Sequence, residues 1–230
     1  SQMFTLMLRK LLNLVSPTSS YLEMENNKLS LKEKITVDAI RDIFERKGYK
    51  FFTNGKYNLN LLGVRKDTSV SNKFDDYLVA IYKSEDDEWK CLVWEATTDP
   101  GKHWLENPLN PAGTAILIPN QYRSTWKVGY HRGKYRALCQ AKNVRVWRDN
   151  DKDDELDFLC EDSQEGIFGI NIHKSNPYTE SQRVDKWSAG CQVFKRAQDY
   201  AVFMGLCDRA SNLYGNSFTY TLLEEQDFNV

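Results

Sequence analysis

Histidine is nearly missing from this chain: three occur in 230 residues, at His103, His131 and His173. No two of them stand at the close spacing that metal-binding pairs use, so neither a metal centre nor another cofactor is expected. Paired cysteines are missing as well. The five cysteines, at 91, 139, 160, 191 and 207, are odd in number and include no Cys-x-x-Cys. That pattern speaks against a disulfide framework and for synthesis in a reducing compartment. Long apolar runs are absent, so no membrane insertion is expected. The start, Met3–Val15, is apolar but interrupted by Arg9 and Lys10. A secretory signal instead carries its charge ahead of an unbroken apolar stretch, so delivery outside the cytoplasm is expected to need a non-standard route. An excess of one charge is also lacking. The net charge is -1 with opposite signs mixed along the chain, which excludes nucleic acid as a main partner. Internal repeats and low-complexity linkers are not seen.

What is present reads as one mainly β domain with a few helices, an α+β chain built as a sandwich or barrel. Aromatic residues make up 13% of the chain, which favours strands and a polar-rimmed binding surface. Ser30-Leu-Lys-Glu33 is a capping-box pattern, and Leu31, Ile35, Ile40, Ile43 and Phe44 follow at helical spacing. This predicts one amphipathic helix over 31–47, closed by Gly48. Strands are predicted at Tyr57–Val64, Tyr77–Tyr82, Trp89–Thr97, Thr114–Pro119, Val144–Trp147 and Ile167–His173, with the acidic loop 84–88 as a hairpin turn. A helix is expected over Ala197–Cys207, with Ala201, Phe203, Met204 and Leu206 available for packing, and an edge strand over Phe218–Leu223. Residues 1–70 are assigned to an N-terminal extension and 71–230 to the chemical domain.

The chemistry-bearing feature is a pair. Fourteen residues separate His173 from the tetrapeptide Ser188-Ala-Gly-Cys191. A cysteine that follows a glycine at a turn can be exposed while its backbone is rigid. An imidazole elsewhere in the chain can serve as its base. Asp149-Asn-Asp-Lys-Asp-Asp-Glu155 has the look of a calcium loop. However, Asp154 stands where the loop's glycine belongs and Cys160 where its bidentate Glu belongs, so a solvated loop is expected. The aromatic and basic run Gln121–Tyr135 reads as a loop with hairpin turns. It could also line a substrate wall, through Trp126, Tyr130 and His131, with Arg123 or Arg132 meeting carboxylates.

These motifs resemble the L,D-transpeptidase catalytic domain, a family of cysteine enzymes that process peptidoglycan. That family's signature is a histidine, a spacer of about this length, then Ser/Thr-His-Gly-Cys. Ser188, Gly190 and Cys191 stand in register with it. Gly166–His173 is similar to the strand that runs into the family's histidine. Asn110-Pro-Ala-Gly113 before Thr114–Ile118 is similar to its Thr-Pro-x-Gly turn, and Glu95-Ala-Thr-Thr98 to the end of the strand before that. Two features depart: Ala189 replaces the second histidine, and Gln192-Val193 lacks the usual polar or basic residue. The resemblance implies Cys191 as nucleophile and His173 as base, oriented by the backbone carbonyl of Lys174 or Ser175. It implies an oxyanion met by the N–H groups of Gly190 and Cys191. Ser188 belongs to the motif, and Trp187, Tyr130 and His131 are the expected substrate contacts. The implied reaction cleaves the L,D bond after the third stem residue through a thioester, ending in hydrolysis or transpeptidation, with Ala189 tilting toward hydrolysis. Peptidoglycan stem peptides are the implied partner, acting place the bacterial cell wall, and a phage particle or secretion apparatus a possible carrier. A second expectation is a catalytically degenerate domain that binds cell wall or forms part of a virion or effector.

Overall fold

The computed structural model describes residues 28–68, 70–158, 163–176, 178 and 180–229. The apolar start and Cys160 lie outside them. The described chain is mainly β with a few helices, as its patterning predicts. By contacts it falls into two units, divided between Ile35 and Thr36.

In the first unit, helix α1 (Leu31–Lys34) is a single turn. Its capping box forms as expected, with the Ser30 N–H donating to Glu33 and the Glu33 N–H to Ser30 Oγ. The single helix expected over 31–47 is interrupted. Ile35 is extended, and Thr36 starts a new helix by accepting the Ala39 N–H at 3.2 Å. β-Branched Ile35 and Thr36 in succession, with a hydroxyl that competes for backbone donors, make this the natural break.

The second unit begins with α2 (Val37–Lys47), which buries Ile40, Ile43 and Phe44 and ends at Gly48 with φ +69°. Among the described residues eleven strands follow: β1 (Asn60–Arg65), β2 (Asp76–Lys83), β3 (Trp89–Thr97), β4 (Thr114–Leu117), β5 (Gln121–His131), β6 (Tyr135–Gln140), β7 (Val144–Asp149), β8 (Gln164–Gly166), β9 (Ile172–Lys174), β10 (Gln192–Phe194) and β11 (Phe218–Glu224). Helix α3 (Lys102–Glu106) precedes β4, and α4 (Ala197–Tyr214) follows β10. Eight strands close into a barrel in the order β1-β11-β5-β6-β9-β10-β3-β2, and β4-β7-β8 form a separate small sheet.

Closure moves the boundary expected at residue 70. Strand β1 lies inside the stretch assigned to the extension, yet it pairs with β11 on one side and β2 on the other. All six of its residues are buried because both neighbours and both faces are occupied. The same closure makes β11 an interior strand between β1 and β5, instead of the edge strand expected there.

Helix α4 runs two turns beyond its predicted end. It buries Tyr200, Phe203, Met204, Cys207 and Ala210, a stripe at helical spacing, while Ala201 faces solvent. That stripe joins one contiguous core with Leu61, Leu78, Trp94, Trp126, Ile172, Phe194 and Tyr220. The run Gln121–Tyr135 is no loop. It forms β5 and the start of β6, joined through Arg132 and Gly133, both at positive φ, with Lys134 N–H returning to the His131 carbonyl at 2.9 Å. That is the turn whose twist suits a tight hairpin. Trp126 is consequently no substrate wall: it is fully buried and donates from Nε1 to the Ile170 carbonyl at 2.8 Å.

Candidate active site

Strands β9 and β10 run parallel, with Ile172 opposite Gln192 and His173 opposite Val193. Ile172 and Phe194 belong to the core, so the alternate residues of both strands point the other way. Cys191 sits just before β10, level with Asn171 and on the same face as His173. Parallel pairing thus puts the thiol and the imidazole on one face of the sheet. Both line one cavity of about 510 Å³.

The cysteine turn is built for rigidity. Ser188 is fully buried; its Oγ donates to the Cys191 carbonyl at 2.8 Å and accepts the Gly190 N–H at 3.2 Å. The Ser188 carbonyl accepts the Gly101 N–H at 2.8 Å. Gly190 has φ +116°, and a Cβ there would stand 2.4 Å from the Ala115 carbonyl oxygen, so only glycine fits. This assigns Ser188 an architectural role and commits the Gly190 N–H, one of the two expected oxyanion donors, to the turn itself. The Cys191 N–H is the donor that the turn leaves over.

Residues 167–171 leave the ladder instead of forming the strand expected over Ile167–His173; only Ile172–Lys174 are extended. Gln140 takes over their backbone. Its Oε1 accepts the N–H groups of Phe168 and Ile170 at 3.1 and 3.0 Å, and its Nε2 donates to the carbonyls of Lys142 and Gly166. Gly169, at φ +68°, turns its carbonyl toward the thiol, and Cys191 Sγ donates to it at 3.4 Å.

The imidazole is fixed from two directions. His173 Nδ1 donates to the Lys174 carbonyl at 2.7 Å, one of the two carbonyls expected to orient it. The Tyr135 hydroxyl stands 3.0 Å from the same nitrogen and donates to the same carbonyl at 3.2 Å. A proton on Nδ1 leaves Nε2 as a lone-pair base. His131 lies flat against this ring, with centroids 4.0 Å apart and planes at 17°. The Asn171 side-chain Oδ1 accepts the Gln140 N–H at 3.0 Å, so Nδ2 must be the group 3.1 Å from His131 Nδ1. His131 therefore accepts at Nδ1 and carries its proton on Nε2.

Burial sets the charges. It lowers the His173 pKa to about 3, with neighbouring His131 adding to the effect, and lowers that of His131 to about 4, assisted by Arg132 and Lys134. It pushes the Cys191 thiol up to about 11. At neutral pH the resting site therefore holds a thiol and two neutral imidazoles, not a thiolate–imidazolium pair. Positive charge comes from the walls: Arg132 and Arg148 line the cavity, with Trp104, Trp187 and Phe168, and no carboxylate does among the described residues.

His173, Cys191, Trp187 and His131 thus line one cavity together with Ala189, while Ser188 and Gly190 hold the turn that carries the cysteine. Tyr130 does not. It is 65% exposed and lines a separate groove with Arg136 and Asp208, because neighbouring strand residues point to opposite faces. Tyr135, Asn171 and Trp104 were not singled out from the sequence. Asn171 was within reach, since it precedes His173 by two positions and shares its face. Of the two arginines considered there, Arg132 borders the cavity, whereas Arg123 packs over Phe52.

No described helix is long and apolar enough to cross a membrane. Comparisons with protein-family models, curated proteins and solved structures find no match.

Proposed function

We propose that the protein is a cysteine acyl transferase or hydrolase of L,D-transpeptidase type, acting on peptidoglycan stem peptides. The observation that carries this reading is the placement of Cys191 and His173 on one sheet face, bordering one basic cavity whose imidazole is oriented through Nδ1. In the proposed reaction, His173 Nε2 takes the Sγ proton as sulfur bonds to the carbonyl carbon of the third stem residue. The Cys191 N–H and the His131 Nε2–H meet the oxyanion. His173 then protonates the departing amine, which leaves as a D-amino acid, and the acyl group remains as a thioester. Water releases it as a shortened stem; an amine of a second stem would turn it into a cross-link. The arginines suit substrates with free carboxylates, and the tryptophans suit the peptide body. Action at the cell wall after non-standard delivery, by phage particle or secretion apparatus, belongs to the same proposal.

One observation favours a second reading, a domain that binds wall peptides without turnover: the Gly190 N–H is already engaged by Ser188 Oγ. Incubation with purified tetrapeptide stems and mass spectrometry separates the two. The enzyme reading expects a tripeptide and free D-amino acid, or dimers, all lost in Cys191→Ala. Stem binding of equal strength in wild type and Cys191→Ala, with no product from either, would establish the second reading and end the first.

A further inference from the structure

The loop that follows β7 brings together Asp149, Asp151 and Asp157, one carboxylate oxygen of each lying within 4.8 Å of the others. Asp149 is fully buried. Its Oδ2 accepts the Asp157 N–H at 3.0 Å, but its Oδ1 is shut off from water and has no hydrogen-bond partner. A carboxylate oxygen in that position costs folding free energy unless something compensates it. Two further carboxylates beside it add repulsion. Lys102 does not answer for them: its ion pair in this loop is with Asp154, at 2.6 Å. A shielded acceptor oxygen without a donor, on a carboxylate grouped with two others, is what a cation would satisfy.

We propose that Asp149, Asp151 and Asp157 form a binding site for a hard divalent cation, calcium by preference. The donors are all oxygens, the ligand type that calcium selects. Their separation is no more than about twice a calcium–oxygen distance of roughly 2.4 Å, so one ion can reach all three. The arrangement differs from the loop weighed on sequence grounds. The third ligand is Asp157, eight residues beyond Asp149, and the left-handed residue is Lys152 at φ +66°, not Asp154.

The site adjoins the cavity wall. Asp149 ends β7 opposite Thr114, and a Cβ on Gly113 would stand 2.2 Å from the Asp149 carbonyl oxygen. Gly113 and Thr114 line the cysteine cavity. An ion on Asp149 braces that wall, whatever chemistry the cavity performs.

The test uses the whole chain after treatment with a chelator, titrated with calcium chloride and followed by calorimetry and thermal unfolding. One ion is expected to bind. At calcium about 100-fold above the dissociation constant the midpoint should rise by roughly 5–10 °C. Magnesium should give a smaller rise. Asp151→Asn, at an exposed position, should fold as the wild type does and bind calcium at least about tenfold more weakly; Asp157→Asn should do the same. No binding heat and no shift in wild type up to millimolar calcium would overturn the proposal. A shift equally large in both variants would overturn it too, as a response made elsewhere.

Discussion

His131 and His173 lie face to face with ring centroids 4.0 Å apart, and they carry their protons on opposite nitrogens. The stack can hold that arrangement only while both rings are neutral. A proton on either would place a charge against its neighbour in a setting from which water is largely excluded.

The first prediction concerns acid. Both histidines are protonated less readily in the fold than in the unfolded chain, at about 3 and about 4 against 6.5. Their contribution to stability is therefore complete above about pH 6.5 and is lost as pH falls through the window toward those values. Each loses about 1.4 kcal/mol per pH unit within its window. Urea unfolding from pH 7 to pH 4.5 should show this slope, and His131→Gln should remove about half of the histidine share. An unchanged slope in that variant would show that His131 titrates normally.

The second concerns the thiol. With burial holding Cys191 near 11, its alkylation by iodoacetamide should rise about tenfold per pH unit from pH 7 to pH 10. A preformed ion pair would instead give a rate already level at neutral pH. Subtracting the rate of Cys191→Ala removes the contribution of Cys91 and Cys139, whose thiols burial also raises.

The third concerns Gln140, whose side chain is almost buried and serves four backbone groups of the β6–β9 region. Gln140→Leu keeps the size but strands those groups. A loss of about 2–4 kcal/mol in unfolding free energy is expected, measured by denaturant titration. The Gly169 carbonyl should also drift from the thiol, changing Cys191 alkylation more than that of Cys139.

Much of this was legible in the sequence where local rules govern. Strand β3 has the predicted limits, Gly48 ends its helix at positive φ, and the acidic loop joins β2 to β3. The His173–Cys191 pair was visible because both residues are rare and each sits at a strand boundary. The misses have nonlocal causes. Ile167–Ile170 alternates like a strand, but Gln140 takes the N–H groups of Phe168 and Ile170 from 28 and 30 positions away in the chain. Phe218–Leu223 looks like an edge until β1 closes the ring beside it. His131 could be placed near a substrate but not against His173, because that contact depends on β6 lying between their strands. The acidic loop fails the calcium pattern at its sixth and twelfth positions, and nothing in the spacing reveals that Asp149 would be fully enclosed.

The parallel pairing of β9 with β10 has one last consequence. Parallel neighbours cannot be joined by a tight turn, so the chain must make a long excursion between Lys174 and Gln192. Register is held by the strands, not by the length of that excursion. Evolution or an engineer can lengthen, shorten or rewrite the part of the excursion that precedes Ser188, Trp187 included, and so change which molecules are admitted while the Ser188–Cys191 turn keeps the sulfur in place.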